Sequence, residues 1–84
     1  MITLYGFPDC PYCSEMKSLF VAEGIKFRDV NVDLPENEEE FRQIVEIANA
    51  EEVPIIRIGK QLLVPNKSFH SITEGFELTK KLLT

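Results

Sequence analysis

The sequence predicts an α/β domain in which helices cover both faces of a mixed four-stranded sheet, in the order β-α-β-α-β-β-α. Three observations lead there. Short β-prone runs alternate with longer stretches whose apolar residues recur every three or four positions. Gly and Pro punctuate the boundaries between them. The 84 residues hold no linker, repeat or low-complexity stretch, so residues 1–84 are expected to form one domain with a modest core.

Ile2–Tyr5 is the first strand, and Gly6, Pro8 and Asp9 end it. A helix follows from Pro11, with Met16, Leu19 and Phe20 on one face and Glu15 and Lys17 on the other. Gly24 is placed to stop it in a left-handed conformation. Lys26–Asp33 is the second strand candidate, with bulk from Phe27, Val30 and Val32. Leu34-Pro35-Glu36-Asn37 turns into a second helix running to about Ala50, on which Phe41, Ile44, Val45 and Ala48 form an apolar stripe. Glu36, Glu38, Glu39 and Glu40 occupy its first turns, where the helix dipole favours negative charge, and are expected to be a solvated helix start.

Ile55–Ile58 and Gln61–Val64, separated by Gly59-Lys60, suggest a hairpin. The last helix is expected from Ser71, where Ser71-Ile72-Thr73-Glu74 fits a capping box. Phe76, Leu82 and Leu83 would form its buried side, and Gly75 lowers its propensity. Two strand–helix–strand crossovers imply parallel pairing in the first part, with antiparallel strands added by the hairpin. This order is that of the thioredoxin fold.

Composition narrows the function classes. Fourteen acidic against nine basic residues give a net charge of −5, which argues against nucleic acid as a partner. No segment approaches the roughly 20 apolar residues that span a bilayer. Met1-Ile2-Thr3-Leu4-Tyr5 lacks the basic flank of a signal peptide. The expected setting is therefore the reducing cytoplasm, with no membrane partner. There, two cysteines are more often catalytic or metal-binding than a structural staple. With His70 the sole histidine, a closed four-ligand zinc site is not expected, and no metal or permanently bound cofactor is called for.

The chemistry gathers at Cys10-Pro11-Tyr12-Cys13. Cys10 falls at a helix start, where unsatisfied amides and the helix dipole stabilise a thiolate. Pro11 suits the first helical position because its missing N–H has no partner to lose there. Tyr12 would project beside the pair, and Cys13 lies within reach of any mixed disulfide formed on Cys10. The thiolate is the attacking species, so Cys10 is the expected nucleophile and Cys13 the resolving thiol. A structural disulfide or a chance spacing are the alternatives. The first suits the compartment poorly, and the second leaves the position at a helix mouth unexplained.

Cys10-Pro11-Tyr12-Cys13, together with Val53-Pro54 directly before the third strand, resembles the glutaredoxin family over essentially the whole chain. Thioredoxins typically carry Gly-Pro between the cysteines. The resemblance implies a cis Val53–Pro54 bond facing the cysteines, and glutathione or protein disulfides mixed with it as substrates. In that scheme Cys10 takes up the glutathionyl group, Tyr12 packs beside it and Val53 pairs with its backbone. A second glutathione then releases Cys10. Arg42 or Gln43 would hold the glycine carboxylate, and Ser71 with the free amides of the last helix the γ-glutamyl carboxylate. The implied partners are glutathione and disulfide-containing proteins, including ribonucleotide reductase, and the implied state is a monomer.

The chain departs from the family pattern at positions that touch glutathione. Gly6-Phe7-Pro8-Asp9 stands where the family commonly has a lysine before the first cysteine, and Glu52 replaces the usual threonine. Lys67-Ser68 and His70-Ser71 replace a Gly-Gly and an Asp-Asp pair before the last helix. Losing a cation and gaining Glu52 disfavours a ligand with two carboxylates, although Lys67 offers a replacement charge. Two further readings therefore stand beside the first. One is a dithiol hydrogen donor, for example to ribonucleotide reductase, that does not depend on glutathione. The other is an iron–sulfur cluster carrier, which Pro11 and Tyr12 disfavour.

Overall fold

Four strands and three helices form where the sequence alternates, in a computed structural model that describes residues 1–84. β1 (Ile2–Gly6) leads to α1 (Pro11–Ala22), β2 (Arg28–Asn31) and a 3-10 turn (Pro35–Asn37). α2 (Glu38–Ala48), the hairpin β3 (Ile55–Ile58) and β4 (Gln61–Leu63), and α3 (Ile72–Leu82) complete the chain. The turn residues behave as their chemistry dictates. Gly24 follows α1 at φ 71°, and Gly59 takes φ 60° at the first hairpin position, the place a type II′ turn reserves for glycine. α2 ends before the expected Ala50 because Asn49 adopts the left-handed conformation at φ 54°.

The sheet order is β2-β1-β3-β4. β1 and β2 are parallel, whereas β3 runs antiparallel to β1 and β4 antiparallel to β3. Only the first crossover therefore yields a parallel pair, which corrects the expectation of two. The cause is the direction of α2. Its start is tied to β2, where Asn37 Nδ2 donates to the Asn31 carbonyl and Arg28 pairs with Glu40. Its end lies past β4, where Lys67 Nζ donates to the carbonyls of Ala48 and Asn49 at 3.0 and 2.8 Å. Eleven residues make a helix of about 16 Å, and four strands about 4.8 Å apart make a sheet of similar width. α2 thus lies across the strands, and the chain enters β3 beside the C-terminal end of β1, in the register Tyr5↔Ile55.

Two cores result. Under α1 and α3, Ile2, Leu4, Met16, Phe20, Ile56, Leu63, Phe69, Ile72 and Phe76 pack together. Under α2, Tyr5, Val30, Ile44, Ala48, Ile55 and Val64 form a smaller cluster. α3 buries Ile72, Gly75, Phe76 and Thr79, one face at helical spacing, while Leu82 and Leu83 are exposed, contrary to expectation. Both extend that spacing beyond Thr79, but Leu82 is the last residue of the helix and Leu83 stands past its end, so neither has a layer to pack against. Gly75 has a packing role: a Cβ there would stand 3.0 Å from Met16 and Phe69, so its absence lets α3 approach α1. The capping box at Ser71 forms in part. Ser71 Oγ accepts from the Glu74 amide at 3.1 Å, but the Glu74 carboxylate accepts from the His70 amide rather than from Ser71.

Candidate active site

Cys10 is the N-cap of α1, with extended backbone angles, and Pro11 follows in the first turn. The amide of Cys13 donates to Cys10 Sγ at 3.1 Å, so a helix-terminal N–H points at the sulfur expected to carry charge. Both cysteines are free thiols and both are buried, Cys10 to 5% exposure and Cys13 to 1%. They differ in what they face. Cys10 lines an open cleft, whereas Cys13 sits behind it against β1 and lines a separate small cavity of about 110 Å³ with Gly6, Lys17 and Asp29. Burial pushes the Cys13 thiol up to about 12, and its hydrogen bond to Cys10 acts in the same direction. Gly6 makes the room for this sulfur, since a Cβ there would stand 2.7 Å from Cys13 Sγ.

The cleft has a volume of about 830 Å³. One wall is the start of α1, with Asp9, Cys10, Pro11, Tyr12 and Glu15. The opposite wall comes from three separate segments: Glu51–Pro54 before β3, Pro65-Asn66, and Phe69–Thr73 leading into α3. Val53–Pro54 is a cis peptide bond, as the resemblance implies, with Pro54 buried and Val53 partly so. Tyr12 projects from the first wall with 63% of its surface exposed. Ser71 caps α3 and brings the first amides of that helix to the cleft; those of Ile72 and Thr73 have no carbonyl within the helix to bond.

The fold thus brings Cys10, Tyr12, Val53, Pro54 and Ser71 to one cleft, and it leaves Arg42 out. Arg42 lies on the exposed face of α2, paired with Glu39 one turn earlier, and Gln43 reaches toward the same carboxylate. Because α2 lies across the sheet, these side chains do not line the cleft. Lys67 is likewise committed elsewhere, capping the last carbonyls of α2. No lysine or arginine lines the cleft, while Asp9, Glu15, Glu51 and Glu52 do. Glu52 accepts from Asn66 Nδ2 at 2.7 Å, and Asn66 takes φ 64° to make that turn.

Sequence reasoning missed Glu15, Glu51, Asn66, Phe69 and Thr73 as cleft residues. Glu51 was the findable one, since it adjoins Glu52 just before Val53-Pro54. The others depend on where the loop before α3 folds. No group of three or more His, Cys, Asp or Glu converges to hold a metal ion, and no helix is long and apolar enough to cross a membrane.

A family model described as glutaredoxin matches residues 2–63. Among solved structures, the chain is similar to a glutaredoxin from Archaeoglobus fulgidus, at 20% identity and TM-score 0.72, over 98% of this chain and 84% of that one. It is similar to a buckwheat glutaredoxin solved as a glutathione complex, at 17% identity and TM-score 0.72, over 95% of this chain and 68% of that one. It is also similar to a thioredoxin-like protein at 17% identity and TM-score 0.74, with both chains covered in full. At these identities the structural likeness speaks for the fold, which is the thioredoxin fold. No curated protein sequence matches the chain.

Proposed function

The chain belongs to the glutaredoxin family of thiol–disulfide oxidoreductases, and within it we propose that Cys10 and Cys13 form a dithiol centre that reduces disulfides presented at the cleft. The single observation that carries this reading is the division of the pair. Cys10 Sγ opens on the cleft under a donated amide, while Cys13 waits buried behind it.

The exchange runs in two steps. Cys10 thiolate attacks one sulfur of a substrate disulfide, the Cys10–substrate bond forms, and the other substrate sulfur leaves as a thiolate that takes a proton from water. Cys13 then gives up its proton and attacks Cys10 Sγ. The Cys10–Cys13 disulfide forms, the second substrate sulfur departs as a thiol, and two electrons have passed to the substrate. Cys13→Ser should therefore retain exchange with single mixed disulfides and lose reduction of intramolecular ones. Equal loss of both would contradict these roles.

Glutathione is the proposed recharging co-substrate. One molecule attacks Cys10 of the disulfide and frees Cys13; a second attacks the glutathionyl sulfur, restores Cys10 and leaves as glutathione disulfide. Tyr12, Val53 and Pro54 line the same cleft as Cys10, which supports a glutathionyl group held between the two walls, and Ser71 with the α3 amides suits a carboxylate. The setting is the reducing cytoplasm. Four carboxylates and no cation at the cleft favour a second reading, a hydrogen donor to proteins such as ribonucleotide reductase that is recharged by a reductase protein. Turnover of a small glutathione mixed disulfide, coupled to glutathione reductase, tests the first. Absence of turnover there, with efficient reduction by thioredoxin reductase, would replace it with the second.

A further inference from the structure

No lysine or arginine lines the cleft, and several of the chain's cations are held by partners outside it. Lys17 pairs with Asp29 at 2.8 Å, Arg28 with Glu40, Arg42 with Glu39, and Lys67 caps α2. The cleft itself is bordered by carboxylates from both walls: Asp9 and Glu15 from the α1 side, Glu51 and Glu52 from the loop before β3. None of the four is in an ion pair, and only Glu52 has a hydrogen-bond partner, the neutral amide of Asn66. His70 is the only other titratable side chain on the opposite wall, and it is exposed. A cleft lined by one sign of charge focuses its field on whatever approaches, and raises encounter rates with the opposite charge. At about 830 Å³ and open to solvent, it has room for a short peptide segment.

We propose that the protein substrate of this centre presents its disulfide in a basic segment, with lysine or arginine beside the attacked cysteine, and that the Asp9, Glu15, Glu51 and Glu52 carboxylates select it over anionic disulfides. The inference rests on the dithiol reading of Cys10 and Cys13, and it assigns the substrate class of that site. Lysine or arginine beside the attacked sulfur finds a carboxylate on whichever wall it meets, because acids stand on both walls of the cleft that Cys10 lines. A glutathionyl group meets repulsion from the same side chains. Selection acts on the first bimolecular step, before Cys13 takes part.

The test uses full-length protein, reduced in advance and freed of reductant, so that recharging plays no role. Single-turnover rates are measured on three synthetic peptides that differ only in the residues flanking an intramolecular disulfide: lysines, glutamines or glutamates. The lysine peptide should be reduced about tenfold faster than the glutamate peptide at low salt, and the gap should close to about twofold at 0.5 M salt. In a protein carrying Asp9→Asn, Glu15→Gln, Glu51→Gln and Glu52→Gln, all exposed substitutions, the three rates should converge. Equal rates in the parent protein overturn the inference and leave the dithiol reading intact, as does a lysine preference that survives in the fourfold variant. Failure to reduce any peptide overturns the dithiol reading itself, and the inference with it.

Discussion

The two walls of the cleft are built in opposite ways. The α1 wall is one continuous stretch of chain, Asp9 to Glu15, and its functional groups are fixed by the geometry of a helix start. The facing wall is assembled from three loops that meet only because β3, β4 and α3 bring them together. The first wall holds the sulfur chemistry and leaves little freedom to its residue types. The second gives most of the cleft its shape and, with Glu51 and Glu52, half of its carboxylates. Thiol exchange should therefore respond steeply to changes in the first wall and gradually to changes in the second.

The steepest test is Cys10→Ser, which removes the only thiol on the cleft. Exchange with every disulfide should fall by roughly three orders of magnitude or more, read by substrate turnover. Residual exchange carried by Cys13 would erase the contrast between front and rear sulfur. Next is the pH dependence of the resolving step. Cys13 is pushed up to about 12 chiefly by burial, which persists when Cys10 is in a mixed disulfide. The thiolate fraction of Cys13, and with it the rate of ring closure, should then rise about tenfold per pH unit through neutrality. Stopped-flow measurement from a preformed mixed disulfide reads this directly, and a flat profile would show that Cys13 is already ionised.

Gly6→Ala places a methyl against Cys13 Sγ, and should lower stability by about 1–3 kcal/mol while slowing the resolving step. Urea unfolding and the same stopped-flow assay separate the two effects. On the facing wall the changes shrink. Glu52→Lys reverses one of four carboxylates and should raise exchange with glutathione mixed disulfide about threefold to tenfold at low salt, measured as kcat/KM. Ser71→Ala removes the bond to the Glu74 amide and should reduce stability by about 1 kcal/mol, seen as a lower urea midpoint with an unchanged slope.

The same contrast explains what was legible in the sequence. Cys10, Pro11, Tyr12 and Cys13 declare a helix mouth through local chemistry alone, and the structure places them there. Ser71 was readable for the same reason, as the first residue of a capping box. Asn66, Phe69 and Thr73 carry no such signal, because their place at the cleft depends on how the segment after β4 folds back: Ser68 Oγ accepts from the Val64 amide and Phe69 O from the Asn66 amide. The direction of α2 was equally hidden. An apolar stripe says which face of a helix is buried but not how its axis crosses the sheet, and from that ambiguity came the extra parallel pair; Arg42 entered through the family resemblance, and in the fold it pairs with Glu39 away from the cleft. Gly75 carries the same lesson in miniature: read alone it weakens a helix, whereas in the fold it sets the spacing of α1 and α3.

The order β2-β1-β3-β4 leaves two strands with an unpaired side, and both are poor templates for another chain. β2 is four residues long and carries the charged residues Arg28 and Asp29, a short and charged edge that disfavours pairing with another strand. β4 is only three residues long, and the chain beyond it turns back so that Lys67 and Ser68 amides occupy the Val64 carbonyl. The fold thus opens a cleft at Cys10 to an approaching disulfide while keeping both of its sheet edges short and blunted.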